Sequence, residues 1–323
     1  MRRQLKPLAT GLLLALFFAG ACTGGVVRTG GYTPATSEGN LVGVYLDGQG
    51  IAVPVSFTLP EGVEATAEQA VRKLLEKPRV GDLYPPDFPP GTSLTCFSIQ
   101  DGMALVDFSR ELLGIAGGTS RTRTLVDSIL FTVLMYPGIE RVRVLIDGEE
   151  VRSFGDGGVD LTNLSYETWR YPNAFHEYPF PPATLFLPMS FGGRTYLVPV
   201  VKDVPQENAL YALLEVLITG RLGDGRPFDE SLHALLPAGA RINQLDREGQ
   251  VLRVDFSREV ESRFKGDSHL AKAFLDAVIF TATEYAGVEE VYITFAGKAK
   301  RDFRGIPLQI PARRPRYINP VEG

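Results

Sequence analysis

The feature that most constrains this chain is that it contains the same pattern twice. Val106-Asp107-Phe108-Ser109-Arg110-Glu111 recurs as Val254-Asp255-Phe256-Ser257-Arg258-Glu259. Pro89-Pro90-Gly91 precedes the first copy, and Pro237-Ala238-Gly239 precedes the second at the same spacing. Downstream, Asp127, Phe131, Thr132, Tyr136, Gly138, Val142 and Gly148 recur in order as Asp276, Phe280, Thr281, Tyr285, Gly287, Val291 and Gly297, one residue later. Val53-Pro54-Val55 has its counterpart in Val198-Pro199-Val200. A period this long excludes a solenoid, whose units repeat every 20–50 residues. Two copies of one small domain are expected, with boundaries at 41–153 and 183–303, a linker at 154–182 and a tail at 304–323.

Local patterning gives each copy the same order of elements. Val42–Leu46 and Ile51–Phe57 alternate around Asp47-Gly48-Gln49-Gly50, a hairpin composition. Pro54 and Pro199 have no N–H to give, which places the second strand at a sheet edge. A helix over 65–77, with Ala67, Ala70, Val71, Leu74 and Leu75 on one face, ends at Pro78; its counterpart spans 208–219. Strands over 93–99 and 103–108 flank Asp101-Gly102. A longer helix covers 121–136 in one copy and 269–285 in the other, and strands 142–146 and 291–295 close each unit. The fold class is therefore α+β: two tandem β-β-α-β-β-α-β units, each a small sheet covered on one face by two helices.

The N-terminus reads as an address. Arg2, Arg3 and Lys6 precede an apolar run from Gly11 to Ala21, too short to span a bilayer and of the length of a signal core. Ala19-Gly20-Ala21 lead directly to Cys22. This resembles a bacterial lipoprotein signal over residues 1–21, although Ala19 stands where leucine is usual. The resemblance implies acylation of Cys22, so Cys22 is the expected lipidation site. Cleavage there takes the net charge from −5 to −8. Residues 22–40, rich in Gly, Ser and Thr, then form a flexible spacer reaching about 20–25 Å. Cys96 would be left without a disulfide partner and is expected to be a small core residue.

Chemistry-bearing patterns are sparse. His176-Glu177 runs into Tyr178-Pro179, so no second histidine arrives one turn later as a zinc-protease helix requires. His233 and His269 are isolated. Gly-x-Ser-x-Gly and phosphate-loop patterns are lacking. Asp107 and Asp255, the recurrent acids, occupy equivalent places in separate copies, which argues against one shared cleft. They are expected to orient a strand-to-helix corner, with Ser109 and Ser257 capping the next turn and Glu111 and Glu259 near its positive end. No catalytic residue, metal site or cofactor is expected. An acidic chain has no electrostatic pull on nucleic acid. The linker aromatics Tyr166, Trp169, Tyr171, Phe175, Tyr178 and Phe180 either pack across the two domains or contact a protein partner or glycan. Three tail arginines, Arg313, Arg314 and Arg316, are fewer than a lipid-binding cluster carries and are expected to be solvated.

The ordered motifs of the first copy are Val53-Pro54-Val55, Pro90-Gly91-Thr92, Asp101-Gly102, Val106-Asp107-Phe108-Ser109, Tyr136-Pro137-Gly138 and Val142–Gly148. Together they resemble the GerMN-domain family of spore germination and sporulation lipoproteins. The second copy departs from it at Tyr285-Ala286-Gly287 and Ala296-Gly297. The resemblance implies a lipoprotein on the outer face of the cytoplasmic membrane. Its domains would be similar to ring-building modules and serve self-association or docking to sporulation envelope proteins. The alternative is a peptidoglycan-binding or peptidoglycan-hydrolysing protein.

Overall fold

The computed structural model describes residues 40–174, 182–204, 209–220, 239–285 and 287–321. Cys22, the signal segment, His176, His233, Phe175, Tyr178 and Phe180 lie outside the described residues.

The first unit opens with a hairpin of β1 (Leu41–Gly48) and β2 (Ile51–Thr58), followed by α1 (Ala67–Leu75). Next come β3 (Leu94–Gln100), β4 (Met103–Phe108), a 3-10 turn over Arg110–Gly114, α2 (Gly118–Leu134), β5 (Arg141–Ile146) and the short β6 (Glu149–Glu150). The second unit repeats the series. Its hairpin is β7 (Pro182–Phe191) and β8 (Arg194–Asp203), followed by α3 (Ala209–Thr219), β9 (Ile242–Glu248) and β10 (Val251–Phe256). Then come α4 (Arg258–Arg263), α5 (Ser268–Glu284), β11 (Glu290–Phe295) and β12 (Lys298–Ala299). The pairs β13 (Asp302–Phe303) with β14 (Ile306–Pro307), and β15 (Ala312–Arg313) with β11, complete the chain. The α+β class and the tandem order expected from the sequence are present.

The strands of a unit do not form one sheet. The hairpin stands apart, and the remaining strands form a mixed sheet in the order β3-β4-β5-β6, mirrored by β9-β10-β11-β12. Within each mixed sheet β4 lies parallel to β5, and β10 to β11, because a helix crosses over between them. The long helix joins the two parts. Eleven of the residues of α2 are buried, including its polar Thr122, Asp127, Ser128 and Thr132. Thr132 Oγ1 accepts the Tyr45 N–H at 2.9 Å, and Thr281 accepts that of Phe186 at 3.0 Å. Each bond sits beside an aromatic pair, Tyr45 with Phe131 at 5.7 Å and Phe186 with Phe280 at 5.3 Å. The apolar faces expected from the sequence are the core: Ala104, Val106 and Phe108 are fully buried, as are Val254 and Phe256 to within 1 %.

Cys96 corrects the expectation of a core thiol. It is exposed, because a register irregularity between Leu94 and Cys96 shifts the side-chain alternation of β3. The outer strands β3 and β9 bury only Leu94 and Ile242 respectively. Among the described residues no helix is long and apolar enough to cross a membrane.

The two threonine bonds yield a direct expectation. Thr132→Val and Thr281→Val keep the shape but orphan a buried N–H, which costs about 1–3 kcal/mol each. Urea unfolding followed by circular dichroism should show a lower midpoint for both variants.

Candidate functional site

The two units meet along β2 and β8, and the chemistry of proline decides how. Pro54 and Pro199 are buried and lie on strands that pack against one another across the molecule. Neither can donate, so the two edges cannot zip into a continuous ladder. An asparagine supplies the missing hydrogen bonds at each place. Asn173 accepts from Ala52 N–H at 2.9 Å through Oδ1, while Nδ2 donates to the carbonyls of Ala52 at 2.9 Å and Pro199 at 2.8 Å. Asn319 repeats this on the other side. It accepts from Leu197 N–H at 2.7 Å and donates to Leu197 at 2.8 Å and Pro54 at 2.7 Å. Ala52 and Pro54 hold the same places in the first hairpin as Leu197 and Pro199 in the second. Each asparagine therefore grips the hairpin of its own unit and reaches across to the proline carbonyl of the other. The arrangement has approximate twofold symmetry within one chain.

Both asparagines sit in the left-handed region, with φ of 49° and 46°, a conformation asparagine tolerates better than most residues. The backbone adds to the second clamp. Ser56 N–H donates to the Asn319 carbonyl at 3.3 Å, Val321 N–H donates to the Ser56 carbonyl at 2.9 Å, and Ser56 Oγ donates to the Ile318 carbonyl at 2.8 Å. The end of the second unit thus runs parallel to β2 of the first. The sheet edge expected at Pro54 and Pro199 is used up between the two halves of one molecule.

The segments leading to the clamps are packed. Tyr166 stacks on Phe131 at 6.2 Å and on Tyr171 at 5.2 Å, and Tyr171 is buried. Trp169 donates from Nε1 to Asp127 at 2.7 Å, and the Arg123 guanidinium lies over its ring at 6.0 Å. Arg170 pairs with the same carboxylate. These three linker aromatics are brought together as a strut on α2 that delivers Asn173. In the tail, Arg314 takes the place of Tyr166: it pairs with buried Glu284 at 2.5 Å and lies over Phe186 and Phe280. Arg313 pairs with Glu290 at 2.6 Å. The expectation of solvated arginines is corrected for Arg314, whose side chain is 13% exposed, whereas Arg313 keeps its side chain in solvent beside Glu290. The recurring Tyr171-Pro172-Asn173 and Tyr317-Ile318-Asn319 was the available signal for the clamp, and its brevity hid it.

The recurrent aspartates are not brought together. Asp107 accepts from Gly148 N–H at 3.0 Å within its own unit. Asp255 accepts from Gly297 N–H at 2.8 Å, Thr294 Oγ1 at 2.6 Å and Asn243 Nδ2 at 2.9 Å. Each therefore fastens the turn after the closing strand to the neighbouring strand. Burial pushes the Asp255 carboxyl up, but the bonds from Thr294, Asn243 and Gly297 outweigh it and hold it below the ordinary aspartate range. Ser109 and Ser257 stand at the starts of their helical turns without capping them through the side chain. Their hydroxyls instead accept from Ser93 N–H at 3.0 Å and Arg241 N–H at 3.2 Å, which fixes the outer strand. Hydrogen bonding with these serines also keeps Glu111 and Glu259 more acidic than usual. Among the described residues no cluster of three or more metal-ligating side chains occurs.

Comparison with known proteins agrees with the duplicated geometry. The family described as Germane, sporulation and spore germination, matches residues 44–152 and again 184–301. The chain belongs to this family. It is 24% identical over 290 residues to the spore germination protein GerM of Bacillus subtilis (strain 168), covering 85% of this chain and 76% of that protein. The solved tandem GerMN domains of the sporulation protein GerM from Bacillus subtilis align with a TM-score of 0.60. Sequence identity there is 21%, over 86% of this chain and 99% of that one. The tandem GerMN fold is thus the frame on which clamps and corners are built.

Two outcomes follow. Asn173→Ala and Asn319→Ala each leave partly buried backbone groups without partners and should cost about 1–3 kcal/mol. The double variant should be non-additive by at least 0.5 kcal/mol, because both sites hold one interface; chemical unfolding of all four chains measures this. Separately, the lowered Asp255 pKa means that its stabilisation is present above the ordinary aspartate pKa and is lost as pH falls through the folded-state value. Asp255→Asn should lower the melting temperature at pH 7, and the two melting curves should converge as pH falls into the strongly acid range.

Proposed function

We propose that this GerMN protein is a lipid-anchored, extracytoplasmic and non-catalytic interaction protein that acts in sporulation and spore germination. The family supports the process, and the signal-like residues 1–21 before Cys22 support the anchor. The observation that carries the non-catalytic reading is the fate of the recurrent polar groups. Asp107, Asp255, Ser109 and Ser257 are all engaged in fastening turns and strands. The Trp169 and Tyr171 rings, the strongest candidates for sugar stacking, are occupied by Arg123 and Tyr166.

Contact with other proteins then falls to surfaces outside the clamp. Among the described residues the outer strands β3 and β9 have no strand partner on their outer edges, and Ile99 on β3 is 52 % exposed. Such an edge can accept a strand from a second copy or from an envelope partner.

Membrane fractionation tests the anchor. The wild-type chain should sediment with membranes and Cys22→Ser should be released, since stable attachment needs the acyl chains. Crosslinking of the released form tests the interaction surface. Ile99→Lys should reduce captured oligomer or partner, and a strictly monomeric wild type without captured partner would count against the reading. Retention on purified cell wall that Trp169→Ala abolishes would favour wall binding instead.

A further inference from the structure

The corner after β10 differs between the two units in a way the fold does not require. In the second unit it opens into a cleft of about 370 Å³ between α4 and the turn joining β11 to β12. Arg258, Lys298, Lys300 and Arg304 converge on it around a single carboxylate, Glu261, over a floor formed by Phe295. Glu261 pairs with Lys300, lies 3.7 Å from Arg304 Nη2, and accepts that same Nη2 on its backbone carbonyl at 2.8 Å. The Arg304 Nε is buried and has no hydrogen-bond partner among the described residues. Among the described residues Arg258 and Lys298 make no ion pair within 4.0 Å, although Arg258 also acts electrostatically on Glu259. Phe295 is 1 % exposed and stacks on Phe303 at 4.4 Å, so the floor is rigid.

The corresponding corner of the first unit shows that this charge is an addition. There Leu113 stands for Glu261, Asp147 for Ala296, Glu149 for Lys298 and Val151 for Lys300. The first unit therefore keeps Arg110 in the place of Arg258 but lacks both lysines, and carries the opposite sign at the position of Lys298. Like charges gathered without compensation repel one another. In a chain of net charge −5 they also make a local positive field that concentrates anions.

We propose that this cleft is a binding site for a phosphate-bearing anion. Phosphate oxygens match a mixed set of arginine and lysine donors, and the charge of a phosphoryl group balances cations that one glutamate leaves uncompensated. The cleft is larger than one phosphate, so the group would enter as a phosphate ester with its carbon skeleton against Phe295. The ester comes either from an anionic lipid headgroup or from a soluble molecule. The site is independent of the anchor and of the exposed strand edges.

The test uses the full chain carrying Cys22→Ser. Inorganic pyrophosphate is titrated by calorimetry at low and at high salt, and co-sedimentation is measured with vesicles of phosphatidylglycerol and of phosphatidylcholine. Pyrophosphate should bind, more weakly as salt rises. Lys298→Glu with Lys300→Val should reduce the affinity at least tenfold, and Arg258→Gln should also weaken it. The double variant installs the side chains that the first unit already carries, and an unchanged melting curve verifies its fold. Glu149→Gln in the first unit should leave the affinity within twofold. Sedimentation with phosphatidylglycerol alone, lost in the double variant, identifies a lipid headgroup as the source; pyrophosphate binding without sedimentation identifies a soluble ester. The proposal is overturned if neither probe binds the parent chain, or if the folded double variant binds as well as the parent. A change in self-association without anion binding would likewise overturn it and assign the cleft to an acidic protein surface.

Discussion

The structure depends on how two strands that cannot pair are made to meet. Pro54 and Pro199 remove a donor from each of the facing edges, and a buried backbone carbonyl without a partner is costly. Asn173 and Asn319 answer this with one carboxamide each, which here accepts once and donates twice. Each side chain is saturated by its own hairpin and the opposite proline carbonyl. The two units are consequently coupled by directional bonds rather than by apolar contact alone. Unregulated strand addition at these edges is prevented because the edges are already covered.

That coupling explains the apparent surplus of the repeated unit. The segments after β5 and β12 carry few of the recurrent motifs, yet they deliver the two asparagines. In the first unit the delivery rests on Tyr166, Trp169 and Tyr171 against α2. In the second it rests on the Arg314–Glu284 pair beneath two aromatic rings. An aromatic stack and a buried ion pair thus hold equivalent positions. Met135 stands where Glu284 does in the repeat, and Tyr166 and Arg314 lie against the equivalent rings of Phe131 and Phe280. The same kind of divergence, at the corner after β10, puts Lys298 and Lys300 where the first unit has Glu149 and Val151.

Much was readable before any coordinates. The duplicated motifs, the period-2 and helical patterns, and the prolines in the second strands gave the α+β class, the order of elements and an edge location for β2 and β8. That Asp107 and Asp255 share no cleft was also readable, because they recur in separate units; the strand-to-helix corner expected of them is corrected, since they hold the turn after the closing strand instead. Cys96 was misplaced, since a register irregularity is invisible to strand alternation. The capping role assigned to Ser109 and Ser257 failed for a related reason: a hydroxyl at a helix start chooses among several nearby N–H groups, and only the position of β3 or β9 decides among them.

The sequence by itself determined that one unit is present twice, because repeated residues in order need no geometry to be recognised. It also determined which strands could not donate, because that is a covalent property of proline. Only the tertiary structure decided what those strands face, since Asn173 reaches β2 from 121 positions away and Asn319 reaches it from 265. Only it decided that Arg258, Lys298, Lys300 and Arg304 share a cleft. Their spacing follows no helical or strand period; their proximity comes from a helix and a turn brought together by the parallel pairing of β10 with β11.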